Sequence, residues 1–193
     1  MSPGRLNALT DGVVAIVMTI MVLELRFPAV PTAQAVVAEL PLLAAYLLAF
    51  VNVAIYWNNH HHMMQATRKV TGAVLWANHA LLFFLTLFPV SIRWIGDAGV
   101  TPWPVASFGV VLVGAAVAYQ WLERALIAAE GENSTVKRAV GAGFKEWISF
   151  AAYVAAVPLA FVSPYISIAI YVAVSVVWIV PDRRFEHRHE GLP

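Results

Sequence analysis

Three polar residues stand at the start of a helix that is otherwise built of Val, Ile, Met and Leu. Arg5, Thr10 and Asp11 precede an apolar run from Val13 to Leu25. In water such residues would be read as helix caps. In a bilayer an acid deep in a span costs several kcal/mol in insertion assays and less near an interface, so it needs partners. The chemistry open to this group therefore depends on the solvent around the helix.

Composition places the chain in a membrane. Of its 193 residues, 61% are hydrophobic and only 12% are charged, and the mean hydropathy is +0.74. Soluble domains are usually about half apolar. The net charge of +1 does not suggest a nucleic-acid partner, and the absence of cysteine excludes disulfides, thiolate catalysis and cysteine-ligated metals. We expect an all-α integral membrane protein with the lipid bilayer as a partner, no nucleic acid and no cofactor.

Hydropathy predicts six membrane-spanning helices, because a span needs about 20 mostly apolar residues. The segments lie near residues 7–26, 41–60, 72–94, 103–124, 146–163 and 165–181. The first lacks a convincing cleavage site and is expected to be retained. Pro89 and Pro158 fall inside or near the ends of their spans and predict kinks. Only Ser163 and Pro164 separate the last two spans, which predicts a tight hairpin. No linker or repeat is visible, so we expect one domain over residues 1–193.

Basic residues predict that both termini are cytoplasmic, because Lys and Arg favour that side of a membrane. Of the 12 basic residues, only Arg26 and Arg93 fall on the opposite side. The other ten are Arg5, Arg68, Lys69, Arg124, Lys137, Arg138, Lys145, Arg183, Arg184 and Arg188. This distribution fits six spans. With five or seven spans, the basic residues would no longer fall mainly on one side of the membrane.

Asp11 is expected to find its partners on other helices. It lies about 9 Å further along the helix than Arg5 and about 240° around it, so the two side chains do not face each other. The second span ends, and the third begins, at the same depth in the membrane. Indole, amide and imidazole groups there are suitable donors to a carboxylate. We predict a polar network comprising Arg5, Thr10, Asp11, Trp57, His60, Trp76, Asn78 and His79.

The residues alone leave two roles open for this network. It could only fix the packing of the helices, or it could act directly in gating or proton sensing. The run His60-His61-His62 does not favour a metal site, because successive side chains on a helix point about 100° apart.

An apolar stripe marks one face of the first helix. Ile16, Ile20 and Leu23 recur at i, i+4 and i+7, and Thr19 lies beside them. Such a stripe is commonly explained by packing against neighbouring helices or lipid, so periodicity alone does not assign it a function.

The opening residues resemble the first-helix signature of a known channel family. Arg5-x-x-x-Leu9-Thr10-Asp11 is similar to the R-x-x-x-F-S-D motif of the transmembrane protein 175 family, the potassium channels of lysosomes and their bacterial relatives. Trp57-x-x-His60, Leu75-Trp76-x-Asn78 and the Pro-containing run LFFLTLFPVSIRWIGD from Leu82 resemble further family motifs. Leu9 departs from the family phenylalanine and Thr10 from its serine. The likeness covers about the first half of the chain, and the last three spans match only in hydropathy and number.

The resemblance implies a potassium-permeable cation channel in a bacterial inner membrane. It implies a four-fold homotetramer in which the first helix lines the pore. Such channels lack the T-V-G-Y-G filter, and the sequence contains none. By their offset from Asp11, Ile16, Ile20 and Leu23 match the hydrophobic constriction, and Thr19 matches a hydroxyl position beside it that would contribute to ion selectivity.

Other functions are alternatives to a potassium channel. A proton-coupled secondary transporter or a proton-permeable channel would also use intramembrane Asp and His. However, a transporter usually shows inverted repeats and helices broken at mid-membrane. A membrane enzyme would need a convergent catalytic set, and the sequence holds neither H-E-x-x-H nor G-x-S-x-G. We therefore expect no enzymatic activity.

Overall fold

The computed structural model describes residues 2–26, 28–29, 32–131, 134 and 144–179. These residues form eight α-helices, numbered here in chain order. They are α1 (Pro3–Val22), α2 (Ala33–Ala38), α3 (Leu40–Gln65), α4 (Gly72–Thr86), α5 (Phe88–Ala98), α6 (Pro102–Glu130), α7 (Phe144–Leu159) and α8 (Pro164–Ile179).

Four helical stretches within the described residues are long and apolar enough to cross a membrane. They are α1, α3, α4 together with α5, and α6. The last two helices, α7 and α8, have 16 residues each, and α8 is a shorter apolar helix. All six predicted segments coincide with helical stretches, although six crossings remain a prediction. Residues 180 and 181 of the predicted sixth span lie outside the described residues, as do the basic residues 137, 138, 183, 184 and 188.

Several boundaries differ from the predicted spans. The first helix begins at Pro3 and ends at Val22, earlier than the predicted segment at both ends. Proline suits the first turn of a helix because its missing N–H would have no partner there. The chain beyond Val22 tightens, since the N–H groups of Leu23 and Glu24 bond three residues back rather than four. Leu23 is consequently the first residue after α1. At their C-terminal ends, α3 and α6 continue past residues 60 and 124, to Gln65 and Glu130.

Pro89 interrupts the third predicted span, as expected. Leu87 separates α4 from α5, and its N–H bonds to the carbonyl of Phe84 at 3.1 Å. Pro89 has no N–H to donate, and its ring crowds the carbonyl four residues earlier. Helical bonding resumes at Ser91, whose N–H reaches the Leu87 carbonyl at 3.1 Å. Pro158 lies within α7, one residue before the end of that helix.

One apolar core runs through α1 and α3 to α8. Gly114 on α6 lies so close to the Phe84 ring that a Cβ would overlap it, which allows α4 and α6 to pack closely. A buried polar contact joins α3 to the last two helices. Asn52 donates to Ser175 Oγ at 2.9 Å and accepts from the Tyr153 hydroxyl at 3.4 Å. These contacts form a scaffold against which one face of α1 packs.

Candidate pore-lining helix and its polar cluster

Thr10, His60 and Asn78 form a buried cluster between α1, α3 and α4. The Asn78 amide donates to Thr10 Oγ1 at 3.1 Å, and Asn78 Oδ1 lies 2.9 Å from His60 Nε2. None of the three is more than 1% exposed. An amide oxygen only accepts, so His60 carries its proton on Nε2. Within the described residues, His60 Nδ1 has no hydrogen-bond partner.

Asp11 lies beside this cluster and links α1 to α3. Its Oδ1 accepts the Trp57 indole N–H at 2.8 Å, and its Oδ2 accepts the side-chain amide of Asn7 at 3.0 Å. Each carboxylate oxygen therefore has a donor, one from a different helix and one from the preceding turn of α1. Hydrogen bonds to a charged acceptor are stronger than those between neutral groups.

Trp76 and His79 lie outside the cluster, contrary to expectation. The Trp76 side chain is 73% exposed, and the exposed His79 bonds through Nδ1 to the Leu75 carbonyl of its own helix at 2.7 Å. The reason is helical geometry. Steps of about 100° per residue place positions 76 and 79 together on one face of α4, about 100° or more from Asn78.

Arg5 also differs from the expected anchor. Its side chain is exposed, and among the described residues it forms no hydrogen bond or ion pair. Eleven residues of helix turn it to within about 20° of Ile16, so it shares a face with the apolar stripe instead of facing α3 and α4.

The apolar stripe of α1 is uncovered, whereas another face of the helix is buried. Ile16, Ile20 and Leu23 are 58%, 42% and 75% exposed. Val14, Val17 and Met21 are at most 3% exposed and pack into the core. Thr19 joins the uncovered face, and its hydroxyl lies 3.0 Å from the Ala15 carbonyl and 2.9 Å from that of Ile16. The single hydroxyl proton is thus used within the helix, which leaves the oxygen lone pairs free to accept.

A chain of charges at the far end of α1 was missed by the sequence analysis. Glu24 lies 3.9 Å from Arg93, Arg93 lies 3.8 Å from Asp97, and Asp97 pairs with Arg26 at 3.0 Å. These contacts tie the segment after α1 to the end of α5. A signal was available, because Arg26 and Arg93, the two basic residues predicted to lie opposite the termini, each have an acid near the same helix end.

An open groove of about 440 Å³ runs along α1 beside the break at Pro89. Ile16 and Ile20 form one wall, while Val90 and Arg93 form the other. The groove is continuous with the uncovered stripe, so this side of the chain presents a long apolar surface bounded by charge.

The helices and their buried polar cluster define a multi-pass membrane protein. The family described as endosomal/lysosomal potassium channel TMEM175 matches residues 5–89, which include most of α1, the cluster and the Pro89 break. A potassium channel of a Chryseobacterium species is 46% identical over 186 residues, which cover 96% of this chain and 97% of that protein. A potassium channel of Streptomyces collinus is 28% identical over 127 residues, 62% of either chain. The chain belongs to the TMEM175 family.

A solved structure shares the fold. The crystal structure of a lysosomal potassium-selective channel TMEM175 homolog from Chamaesiphon minutus aligns with a TM-score of 0.78 at 20% identity, over 92% of this chain and 96% of that one. The similarity therefore extends through the last three helices, which the sequence motifs did not reach.

Proposed function

We propose that the chain is the subunit of a homotetrameric potassium channel in which α1 lines the pore. The observation that carries this proposal is the two-faced character of α1. Its buried face packs on α3, α4 and α5, and its other face, with Ile16, Ile20 and Leu23, is largely exposed among the described residues of one chain. Family membership supplies the transported ion, since the Chryseobacterium relative is named a potassium channel.

The uncovered stripe would act as a gate by excluding water. Around a symmetry axis, each isoleucine becomes a ring of branched alkyl groups with no polar ligand. An ion entering such a neck must shed hydration without compensation, so the barrier to permeation is high. A small outward rotation or tilt of α1 widens the Ile16 and Ile20 rings together, because both residues lie on one helix.

Thr19 would supply the polar contact that the isoleucine rings lack. Its hydroxyl proton is directed to the helix backbone, so its lone pairs are oriented to accept from water or to contact a cation. One hydroxyl ring replaces hydration only in part, which favours an ion that dehydrates cheaply, such as potassium over sodium. Discrimination should be weaker than in a filter made of carbonyl oxygens.

The polar cluster would set the rotation of α1. Thr10, on the buried face of α1, bonds to α4, and the next residue, Asp11, bonds to α3. These two contacts direct Ile16 and Ile20 away from the subunit core. These residues position the gate and do not contact the ion. Arg5 lies on the uncovered face, where its partner in a tetramer would come from another subunit.

Flux into liposomes tests the proposal. Purified protein is reconstituted with opposed potassium and proton gradients. A channel passes potassium passively down its electrochemical gradient with no obligatory proton exchange. Potassium movement that stops when the proton gradient is removed would instead indicate a coupled transporter.

A further inference from the structure

A cavity of about 50 Å³ lies between α3, α6, α7 and α8, at the end of the bundle where α1 begins. Aromatic side chains from all four helices line it, namely Tyr56, Tyr119, Tyr153 and Trp178. A single water needs about 10–15 Å³ of such space, so the cavity accommodates a group of a few heavy atoms.

Part of the lining has its polar groups satisfied by the protein. The Tyr153 hydroxyl donates to Asn52, and the Trp178 indole donates to Ser149 Oγ at 2.9 Å. The other part of the lining carries polar groups that the described part of the protein does not satisfy. Within the described residues, neither the Tyr56 hydroxyl, the Tyr119 hydroxyl nor the Glu146 carboxylate has a hydrogen-bond or ion-pair partner. These polar groups are therefore available to donate to, or accept from, a bound ligand.

The geometry of the rings suits a cation. Tyr56 and Tyr119 approach with centroids 6.0 Å apart and planes at 57°, which forms two walls of a partial cage. Aromatic faces attract ammonium groups, and such cages are used to recognise alkylated ammonium ions. A carboxylate among them adds a full opposite charge.

The chain already places one ammonium group against this lining. Lys145 Nζ lies 4.5 Å from the centroid of the Trp178 ring. The other charges nearby are Glu123, which interacts electrostatically with Glu146, and Arg124, which reaches Gln120 at 3.5 Å. Arg124 therefore points to a neighbour on its own helix and not to the Glu146 carboxylate.

We propose that this cavity binds a small alkylammonium ion. The ammonium donates to the Glu146 carboxylate and to the hydroxyls of Tyr56 and Tyr119, and the alkyl group lies against the rings. An alkylammonium fits better than a divalent cation because the site offers one lining carboxylate and several apolar faces, whereas Ca²⁺ or Mg²⁺ requires six or more oxygens including water.

A ligand bound in this cavity would affect the orientation of α1 through α3. This effect on the pore rests on the proposed function. Tyr56 and Asn59 line the cavity, while Trp57 and His60 on the same turn hold Asp11 and Asn78. A ligand that fixes this turn of α3 would stabilise one setting of α1. The predicted consequence is a change in the fraction of open channels without a change in ion preference.

The ammonium could come from a free amine or from the headgroup of an ethanolamine lipid. Titration of ethylammonium into lipid-free detergent tests the free amine. Nanodiscs made with and without phosphatidylethanolamine test the lipid. If the headgroup occupies the cavity, it competes with ethylammonium, and ethylammonium binds more weakly in the nanodiscs that contain phosphatidylethanolamine.

Isothermal titration of the full-length channel with ethylammonium chloride, at ionic strength held constant with sodium chloride, measures binding directly. We expect saturable binding that Glu146→Gln weakens about tenfold or more. Glu39→Gln is the control. This residue precedes α3, at the end of that helix far from Tyr56, so the substitution should leave ethylammonium affinity unchanged. Tyr119→Phe keeps the ring and removes the hydroxyl, so it decides the matter if Glu146→Gln does not fold, and it should weaken binding severalfold.

Absence of saturable binding to the unmodified channel would overturn the site, and so would unchanged affinity in both cavity variants. Because binding is measured without flux, failure of the site is distinguishable from failure of the channel proposal. A protein that binds ethylammonium but passes no potassium would keep the site and reject the proposed function.

Discussion

The indole N–H of Trp57 on α3 donates to the carboxylate of Asp11 on α1 at 2.8 Å. This bond joins a charged acceptor near the start of the pore-lining candidate to a helix that is held by the rest of the bundle. Among the described residues it is the side-chain hydrogen bond that ties Asp11 to another helix, so it acts directly on the orientation of α1.

Asp11→Ala and Trp57→Phe should act through this one bond. Hydrogen bonds to charged groups contribute about 1.5–3 kcal/mol each, so either variant should lower the melting temperature of the purified protein. The double variant should melt close to the more damaged single variant, since the bond can be lost only once. Additive losses in thermal unfolding would show that the two residues act independently.

Asn78→Leu should destabilise the protein by leaving Thr10 and His60 without their shared partner. Unsatisfied buried polar groups cost about 1–3 kcal/mol each. The same substitution at the exposed Asn58 on α3 is the matched control and should shift the thermal midpoint little. Equal shifts for the two variants would contradict a structural role for the buried cluster.

Thr19→Val should lower the potassium-to-sodium permeability ratio, because it keeps the side-chain shape and removes the oxygen. The reversal potential under bi-ionic conditions measures the ratio. Thr19→Ser retains the oxygen and should stay close to the unmodified channel. An unchanged reversal potential in Thr19→Val would exclude the hydroxyl from cation discrimination.

Arg93→Gln should change conductance more than stability. The pairs of Arg93 are partly exposed, and exposed ion pairs contribute little to folding. Removing the guanidinium leaves Glu24 without its nearby cation, so the mouth of the pore becomes more negative and attracts cations. Single-channel conductance should rise at low salt, and the gain should fade toward about 1 M salt, where the Debye length is about 3 Å. Arg93→Lys keeps the charge and should show no such gain. A gain that is independent of salt would contradict an electrostatic cause.

Hydropathy predicted where the apolar helices lie but not where they end. Apolar runs define a span, whereas helix ends depend on caps and local bonding, as at Pro3, which starts α1 early, and at Leu23, where bonding three residues back closes the helix. The contacts of Trp57 and His60 with Thr10, Asp11 and Asn78 could be predicted because all five residues lie at one depth. That Trp76 and His79 lie outside the polar cluster could not be predicted, since depth does not show which face of a helix a residue occupies.

The sequence signals that charges lie at the far end of α1, but neither their pairing nor the aromatic cavity could be predicted from it. Arg26 and Arg93 are the exceptions to the charge bias in the sequence. Their ion pairs with Asp97, however, depend on how α5 continues after Pro89. The cavity joins Tyr56 to Tyr119, 63 positions later, and no local pattern indicates that distant tyrosines share a space. Contacts of this kind follow from the packing of whole helices.

Ile16→Asn tests the central claim, that the uncovered stripe of α1 is the constriction of a pore. An amide at this ring offers hydrogen bonds to water that the isoleucine denies, so the neck should hydrate and the barrier to ions should fall. Val110→Asn on α6 is the matched control, because that side chain is 54% exposed against 58% for Ile16 and lies on a different helix.

Single-channel recording of tetramers verified by size is the most direct measurement. We predict that Ile16→Asn raises potassium conductance severalfold and lowers the potassium-to-sodium ratio, that Ile20→Asn and Leu23→Asn act more weakly, and that Val110→Asn matches the unmodified channel. Unchanged conductance and selectivity in a correctly assembled Ile16→Asn channel would contradict the claim and place the constriction elsewhere.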